Sequence, residues 1–254
     1  MRLDEFLIQN NYFDSRTKAK QAVLRGEIFI NGTLITKPAY VMIENENYNV
    51  QRVCENSFVS LGGFKLKKAI VDFKFNASNL IVADVGASTG GFTDCLLGEG
   101  AKKVYAVDLN DTLLHEKLKN DSRVISIIKN ARDLDKSDFS ESLDLIVADL
   151  SFISASYVLE VFSKLLDDNK QLILIIKPQF ETGERKKFKN GIIKDVKMQR
   201  EVCSKIYDCA VLNNLFPQAF TTAPKSEGKN LEFLMLFTKN SQTTIDKEQI
   251  YSLI

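Results

Sequence analysis

From Gly62 onward, runs of consecutive apolar residues alternate with segments whose apolar residues recur every three or four positions. This alternation constrains the fold more than any other feature of the chain. The runs read as strands at Leu80–Asp84, Lys103–Val107, Val124–Ile127, Leu143–Asp149, Gln171–Ile176, Phe216–Thr222 and Leu231–Phe237. Helical spacing marks Leu66, Ala69, Ile70 and Phe73, then Gly91–Leu97, Leu113–Leu118, Ile153–Leu166 and Lys197–Leu212. A strand apolar on consecutive residues, such as Leu145-Ile146-Val147-Ala148, suits a parallel sheet covered on both faces. Seven strands, most of them separated by helices, predict a doubly wound, Rossmann-like α/β domain.

The first ~60 residues read differently, and that length is short for an independent core. Leu3, Phe6 and Leu7, then Ala19, Ala22 and Val23, predict two short helices, the second capped by Ser15 and stopped by Gly26. Ile28-Phe29-Ile30-Asn31-Gly32-Thr33-Leu34-Ile35 carries the Asn-Gly signal of a tight hairpin, and Tyr48–Val53 is a further strand. The expected organisation is a small α+β domain over 1–57, the α/β domain over 58–240 and a loosely held tail over 241–254.

Composition removes several chemistries. Lys and Arg total 34 against 33 Asp and Glu, so any nucleic-acid role must come from local patches. Cys54, Cys95, Cys203 and Cys209 form no C-x-x-C pair, and His115 is the only histidine. A structural zinc site and a Ser–His–Asp or Cys–His machine are thereby excluded, and no metal is expected. The thiols read as reduced and cytoplasmic. No apolar run approaches the roughly 18 residues of a spanning helix, no secretory leader is expected near Met1, and no membrane association is expected.

The strand ending at Val85 runs into Gly86-Ala87-Ser88-Thr89-Gly90-Gly91-Phe92 and then a helix, which lets backbone come close to a ligand. Asp108 closes the next strand, where an acid accepts hydrogen bonds from ribose hydroxyls. A nicotinamide fingerprint lacks its second glycine, because Ser88 stands there. The spacing D-x-G-x-x-x-G from Asp84 fits S-adenosylmethionine, which has no pyrophosphate to cradle. The bland alternative is a tight strand-to-helix turn. Two further strands end in charge, at Asp149 and Lys177, at the sheet edge where open α/β folds bind ligands. The competing reading there is a rim ion pair.

The segments D-V-G-A-S-T-G-G-F-T, A-D-L-S-F-I-S and I-K-P-Q-F-E resemble, in order and spacing, the FtsJ-like ribose methyltransferases. Within these, the chain is most similar to the TlyA group of ribosomal RNA 2′-O-methyltransferases, often labelled haemolysins. The segment R-L-D-E-F-L, S-R-T-K-A-K-Q-A-V-L-R-G-E-I-F-I-N-G, K-P resembles the small S-four-type RNA-binding domain. The resemblance implies a Lys–Asp–Lys–Glu tetrad at Lys65, Asp149, Lys177 and Glu232, within V-S-L-G-G-F-K-L, A-D, I-K-P and G-K-N-L-E. It implies S-adenosylmethionine held by Asp84, Gly86, Ala87, Ser88, Thr89, Gly90, Gly91, Phe92 and Asp108, with Asn130 and Asp133 of an N-x-R segment toward the adenine. The implied partner is ribosomal RNA in a subunit or its precursor.

The chemistry explains the lysines. A ribose 2′-hydroxyl must lose its proton as it attacks a sulfonium methyl, and a desolvated lysine serves as base while a nearby ammonium steadies the alkoxide. In-line transfer itself needs alignment and a dry pocket. Lys177 is the expected base, oriented by Asp149, with Lys65 and Glu232 placing the ribose and balancing charge. For RNA, Arg16, Lys18, Lys20 and Arg25 cluster on or beside one helix, with Lys37 after the hairpin. Arg185, Lys186, Lys187 and Lys189 form a second basic loop near the Lys177 strand end. Leu61 departs from the family's usual arginine in S-R-G-G, and the stretch after Asp108 lacks the usual glycines. The alternatives are an RNA-binding protein without catalysis, argued against by the intact tetrad, and a membrane-active haemolysin, which no long apolar segment supports.

Overall fold

The computed structural model describes residues 1–25, 27–43, 46–52, 58–183, 191–224 and 228–254. The basic loop residues Arg185, Lys186, Lys187 and Lys189, the helix stop Gly26 and the side chain of Arg25 lie outside the described residues.

The amino-terminal part packs α1 (Leu3–Gln9) and α2 (Arg16–Arg25) on a small sheet of β1 (Ile28–Ile30), β2 (Thr33–Leu34) and β3 (Val50–Arg52), in the order β2-β1-β3. The Asn31-Gly32 turn has φ of 50° and 74°, the left-handed pair that a two-residue hairpin requires, and β1 pairs antiparallel with β2. Leu3, Leu7, Ala19, Ala22, Val23, Ile28 and Met42 form its core.

The larger part holds a seven-stranded sheet in the order β6-β5-β4-β7-β8-β10-β9. Its strands are β4 (Ile81–Val85), β5 (Lys103–Asp108), β6 (Val124–Ile128), β7 (Leu145–Ala148), β8 (Gln171–Ile176), β9 (Leu215–Thr222) and β10 (Phe233–Lys239). The first five are parallel, and β10 runs antiparallel to both β8 and β9. One face carries α3 (Gly62–Asp72), α4 (Gly91–Gly98) and α5 (Glu116–Lys119) over a core that includes Leu66, Ile70, Val82, Leu96, Val147 and Ile175. The other carries α6 (Leu159–Leu165), α7 (Pro178–Glu181) and α8 (Val196–Leu212), with Phe162, Cys203, Ile206, Ala148 and Ile176 in its core. The doubly wound expectation holds: helices cover both faces, and the central strands β7 and β8 are buried on both.

The expected loose tail is corrected. Thr244 N–H donates to the Pro217 carbonyl at 3.0 Å, and α9 (Lys247–Ser252) begins with an Asp246–Gln249 capping box. Ile250, 1% exposed, joins the core beneath α8, and Arg200 donates to the Tyr251 carbonyl. Ile245, Tyr251 and Ile254 pack partly buried against the same core, and together these contacts dock the segment. No helix among the described residues is long and apolar enough to cross a membrane.

Candidate active site

The carboxyl edge of the sheet is where β4, β5, β7 and β8 all end. The turn after β4 is tied down by its own backbone: Gly86 and Ala87 N–H donate to the Val107 carbonyl at 2.9 and 3.1 Å. Ser88, at φ 50°, donates its N–H to Asp108 Oδ2 at 2.8 Å, and Leu109 N–H takes Asp108 Oδ1 at 2.7 Å. Asp108 therefore shapes the loop, whichever further partner its remaining lone pairs accept. Gly90 opens α4 at φ 90° and faces Leu118, and Gly91 lies so close to the α3 start that a Cβ would sit 2.2 Å from Ser60 Oγ.

Beneath the loop Asp84 is fully buried. Its Oδ2 accepts from Thr93 N–H (2.8 Å) and Thr93 Oγ1 (2.6 Å), while Oδ1 has no hydrogen-bond partner. Burial, opposed by the Thr93 hydrogen bonds, pushes this carboxyl up to about 7.

Lys65, Asp149, Lys177 and Glu232 meet above it. They form a linear chain: Glu232 Oε2 to Lys65 Nζ 2.6 Å, Lys65 Nζ to Asp149 Oδ2 3.4 Å, Asp149 Oδ1 to Lys177 Nζ 2.7 Å. Lys177 Nζ then donates to Ser151 Oγ at 2.8 Å. Lys65 comes from the first turn of α3, Asp149 from just past β7, Lys177 from just past β8 and Glu232 from just before β10. Because β10 is antiparallel and Phe233 pairs with Ile176, Glu232 enters at the same edge at which Lys177 leaves. The Lys177 side chain is 9% exposed, that of Asp149 18% and that of Lys65 23%. Burial works against the Lys65 ammonium, but Asp149 and Glu232 outweigh it and hold the group above the usual lysine value. Burial likewise opposes the Asp149 carboxylate, and the two ammoniums overcome it and hold the carboxyl below its usual range.

Two cavities open at this edge. One, of about 270 Å³, is lined by the tetrad, Asp84, the glycine loop and Phe92. Leu61 lines it too, with Leu34 from the small sheet. The other, of about 540 Å³, is lined by Asp108, Leu109, Leu113, Asn130 and Leu150–Ile153. Gly86, Ser88, Asp149 and Ser151 line both, so the two adjoin as one cleft with its waist at Asp149, the tetrad member common to both. Asp133, expected toward an adenine, is exposed and lines neither; its backbone N–H closes a 3-10 turn on Asn130.

Sequence reasoning missed Ser151 and Phe152. Phe152 holds a left-handed φ of 66°, is 81% exposed and lies 5.2 Å from the Phe180 ring. Their signal was their place immediately after Asp149. Arg16 and Lys18 of α2 are exposed and paired, Arg16 with Asp4 and Glu5, Lys18 with Asp14. Lys20 and Lys37 are exposed. Among the described residues no group of three or more His, Cys, Asp or Glu is arranged to hold a metal ion.

Comparison with known proteins places the chain in a family. The model of the FtsJ-like methyltransferase family matches residues 58–239, and that of the S4 domain matches residues 1–41. Hemolysin A of Brachyspira hyodysenteriae is 40% identical over 245 residues, 93% of this chain and 99% of its own length. The 16S/23S rRNA (cytidine-2′-O)-methyltransferase TlyA of Mycobacterium tuberculosis is 34% identical over 199 residues, 78% of this chain and 74% of its own. A solved structure from Streptococcus thermophilus with a provisional hemolysin name superposes with a TM-score of 0.74 at 33% identity, covering 100% of this chain and 94% of that one. With its family model spanning the whole seven-stranded sheet and its small sheet preceding it, the chain belongs to the FtsJ-like methyltransferases and, within them, to the S4-bearing TlyA group.

Proposed function

We propose that this protein transfers a methyl group from S-adenosylmethionine to a ribose 2′-hydroxyl of ribosomal RNA, with residues 1–57 gripping RNA and 58–240 performing the transfer. The observation that carries the reading is the convergence of Lys65, Asp149, Lys177 and Glu232 at the waist of a two-lobed cleft.

The cleft suits the donor. The unpartnered Asp84 Oδ1 is a buried acceptor on the wall of the smaller cavity, matched to the ammonium of an amino-acid moiety. The larger cavity offers Leu109, Leu113, Leu150 and Ile153 as an apolar slot for a purine, with Asp108 and Asn130 at its rim. When bound, S-adenosylmethionine supplies an electrophilic methyl on a positively charged sulfur. The chain's own residues do the rest. Lys65, facing two carboxylates, keeps its proton and steadies negative charge on the ribose oxygen. Lys177, once it has released its own ammonium proton to solvent, is the proton acceptor of the proposal: it meets one carboxylate where Lys65 meets two, and it stands at the Ser151 end of the chain, where both cavities open. Asp149 aims the amine, and Glu232 fixes Lys65. Phe152 offers an exposed ring beside this waist on which an unstacked base can lie.

The test incubates the protein with methyl-labelled S-adenosylmethionine and separated ribosomal subunits, then maps the modified nucleotide. Label on a ribose oxygen supports the reading; label on a base overturns the tetrad assignment. Lys177→Ala should lower kcat by about 10²–10⁴-fold while calorimetric affinity for S-adenosylmethionine survives. Loss of that affinity would make Lys177 a structural residue.

A further inference from the structure

The motif I-K-P-Q-F-E contributes Lys177 to the site and leaves its glutamate unexplained. Glu181 closes α7 and is only 6% exposed. Its Oε1 accepts the Ala155 N–H at 2.8 Å and its Oε2 accepts the Ser154 hydroxyl. Ser154 in turn accepts the Ser156 N–H at 3.3 Å, capping the short 3-10 turn Ala155–Tyr157. From the far side, Lys205 of α8 donates to the Glu181 carbonyl at 3.2 Å.

The cross-contacts between the two catalytic segments fall in sequence order. Asp149 and Ser151 meet Lys177, Phe152 meets Phe180, and Ser154 and Ala155 meet Glu181. The segment after β7 therefore lies along the turn after β8 like one side of a ladder, and Glu181 holds its last rung. The middle of that segment carries the strained backbone, at Phe152 with φ 66°. A left-handed non-glycine residue persists only where its surroundings over-determine it. The lower rung is the catalytic pair itself, whose charges change during turnover. The upper rung is a buried, fully hydrogen-bonded carboxylate, which does not have to move.

We propose that Glu181 is a positioning residue: through Ser154 and Ala155 it braces the segment bearing Asp149, Ser151 and Phe152 against the turn bearing Lys177. The inference rests on the proposed methyl transfer, since it assigns Glu181 to the alignment of that reaction. Removing the brace lets Asp149 and Ser151 drift from Lys177, and a displacement of about 1 Å at a reacting pair lowers kcat by about 10²-fold.

The experiment compares Glu181→Ala, Glu181→Gln and Glu181→Asp with the wild type, reading kcat, KM for RNA, affinity for S-adenosylmethionine and Tm. Glutamine keeps the reach: its carbonyl still accepts from Ala155, and its amide can donate to Ser154, a hydroxyl that also accepts. Aspartate keeps the charge and falls short by one carbon–carbon bond, about 1.5 Å. The expected order of kcat is wild type, then Gln close behind, with Asp and Ala about 10²-fold lower and donor affinity reduced far less than kcat. Any other order overturns the proposal, as does an equal loss of kcat and donor affinity, which is what a general loosening of the fold would give. If the alanine variant does not fold, the Gln–Asp comparison decides alone.

A second readout does not depend on activity. The chain has no tryptophan, so Phe152→Trp introduces a single tryptophan into the braced segment, excited selectively at the red edge where the seven tyrosines do not absorb. Its anisotropy should fall when Glu181→Ala is added, and an unchanged anisotropy overturns the brace. A wild-type protein that modifies no ribose refutes the proposed reaction, whereas an active wild type with an equally active, equally ordered Glu181→Ala variant refutes only the brace.

Discussion

Replacing Asp84 by asparagine separates what the buried carboxylate does for binding from what it does to the fold. The side chain is completely buried, its Oδ2 is held by Thr93, and its Oδ1 meets no donor. Burial pushes its pKa up to about 7, well above the value of about 3.9 in an unfolded chain. Between those two values the folded protein retains a proton that the unfolded chain has released. Stability therefore falls as pH rises from about 4 to about 7, and above that the whole penalty is present. The interval amounts to roughly 4 kcal/mol at pH 8. Asparagine removes the charge and keeps a carbonyl oxygen for Thr93. The ligand-free Asp84→Asn protein should therefore melt above the wild type at pH 8, by on the order of 10 °C for a chain of this size, with the difference closing by pH 4. Thermal melts followed by circular dichroism at pH 4, 6 and 8 measure this directly. The same variant should bind S-adenosylmethionine at least about tenfold more weakly, because an amide N–H₂ then faces the donor's ammonium where an acceptor stood. A variant that melts at or below the wild type at pH 8 would show that the Asp84 charge is compensated in the folded state. The reasoning from its unpartnered oxygen would then be wrong.

Three further outcomes are expected. Asp149→Asn leaves two ammoniums without their shared carboxylate and should lose about 3 kcal/mol at pH 7 in urea titrations. Because the Asp149 carboxyl is held low, that difference is full above about pH 4 and disappears as pH falls through the lower folded value; a difference that persists in acid would contradict the pairing. Gly91→Ala places a Cβ 2.2 Å from Ser60 Oγ and 2.9 Å from the Gly63 nitrogen. It should cost about 1–3 kcal/mol and weaken donor binding by calorimetry, and adding Ser60→Gly should not restore either, since the backbone nitrogen stays. Ile250→Ala should lower stability by about 2–4 kcal/mol in urea; an unchanged midpoint would return residues 241–254 to a dangling tail.

What was legible in the sequence was local. The glycine turn after β4, the Asn31-Gly32 hairpin and the charged ends of β7 and β8 each announce themselves within a dozen residues. The joining of Lys65 and Glu232 to them came from resemblance, because no local pattern shows that β10 returns antiparallel. The docking of α9 was missed although Asp246 and Gln249 have capping-box spacing, since a single buried Ile250 gives no periodicity. The basic cluster of α2 shows only part of its pairing in sequence: Arg16 meets Asp4 and Glu5 across from α1, which no local pattern reveals, while Lys18 meets Asp14 one turn before it. Asp84 read as a donor ligand, and only its burial shows that its proton affinity is raised.

The site also depends on a parity that the sequence hides. Along β4, β7, β8 and β10, successive side chains alternate between the face covered by α3 and the face covered by α6 and α8. Val82, Leu145, Val147, Ile173, Ile175 and Leu234 pack on the α3 side, while Ala83, Ile146, Ala148, Leu174, Ile176 and Phe233 pack on the other. Continuing each alternation by one step puts Asp84, Asp149, Lys177 and Glu232 on the α3 side, where Lys65 projects from the first turn of the helix. Four strands must agree for the charges to meet. In a half-buried sheet such agreement shows as alternating polar residues, but these strands are apolar on both faces and carry no such mark. A slip of one residue in β8 would preserve its hydrophobicity completely and still turn Lys177 away from Asp149. The buried strands therefore fix the sheet by burial in general, while Asp84, Asp149, Lys177 and Glu232 mark the register, and whether these charges meet on the α3 side reports whether the sheet has been assembled in phase.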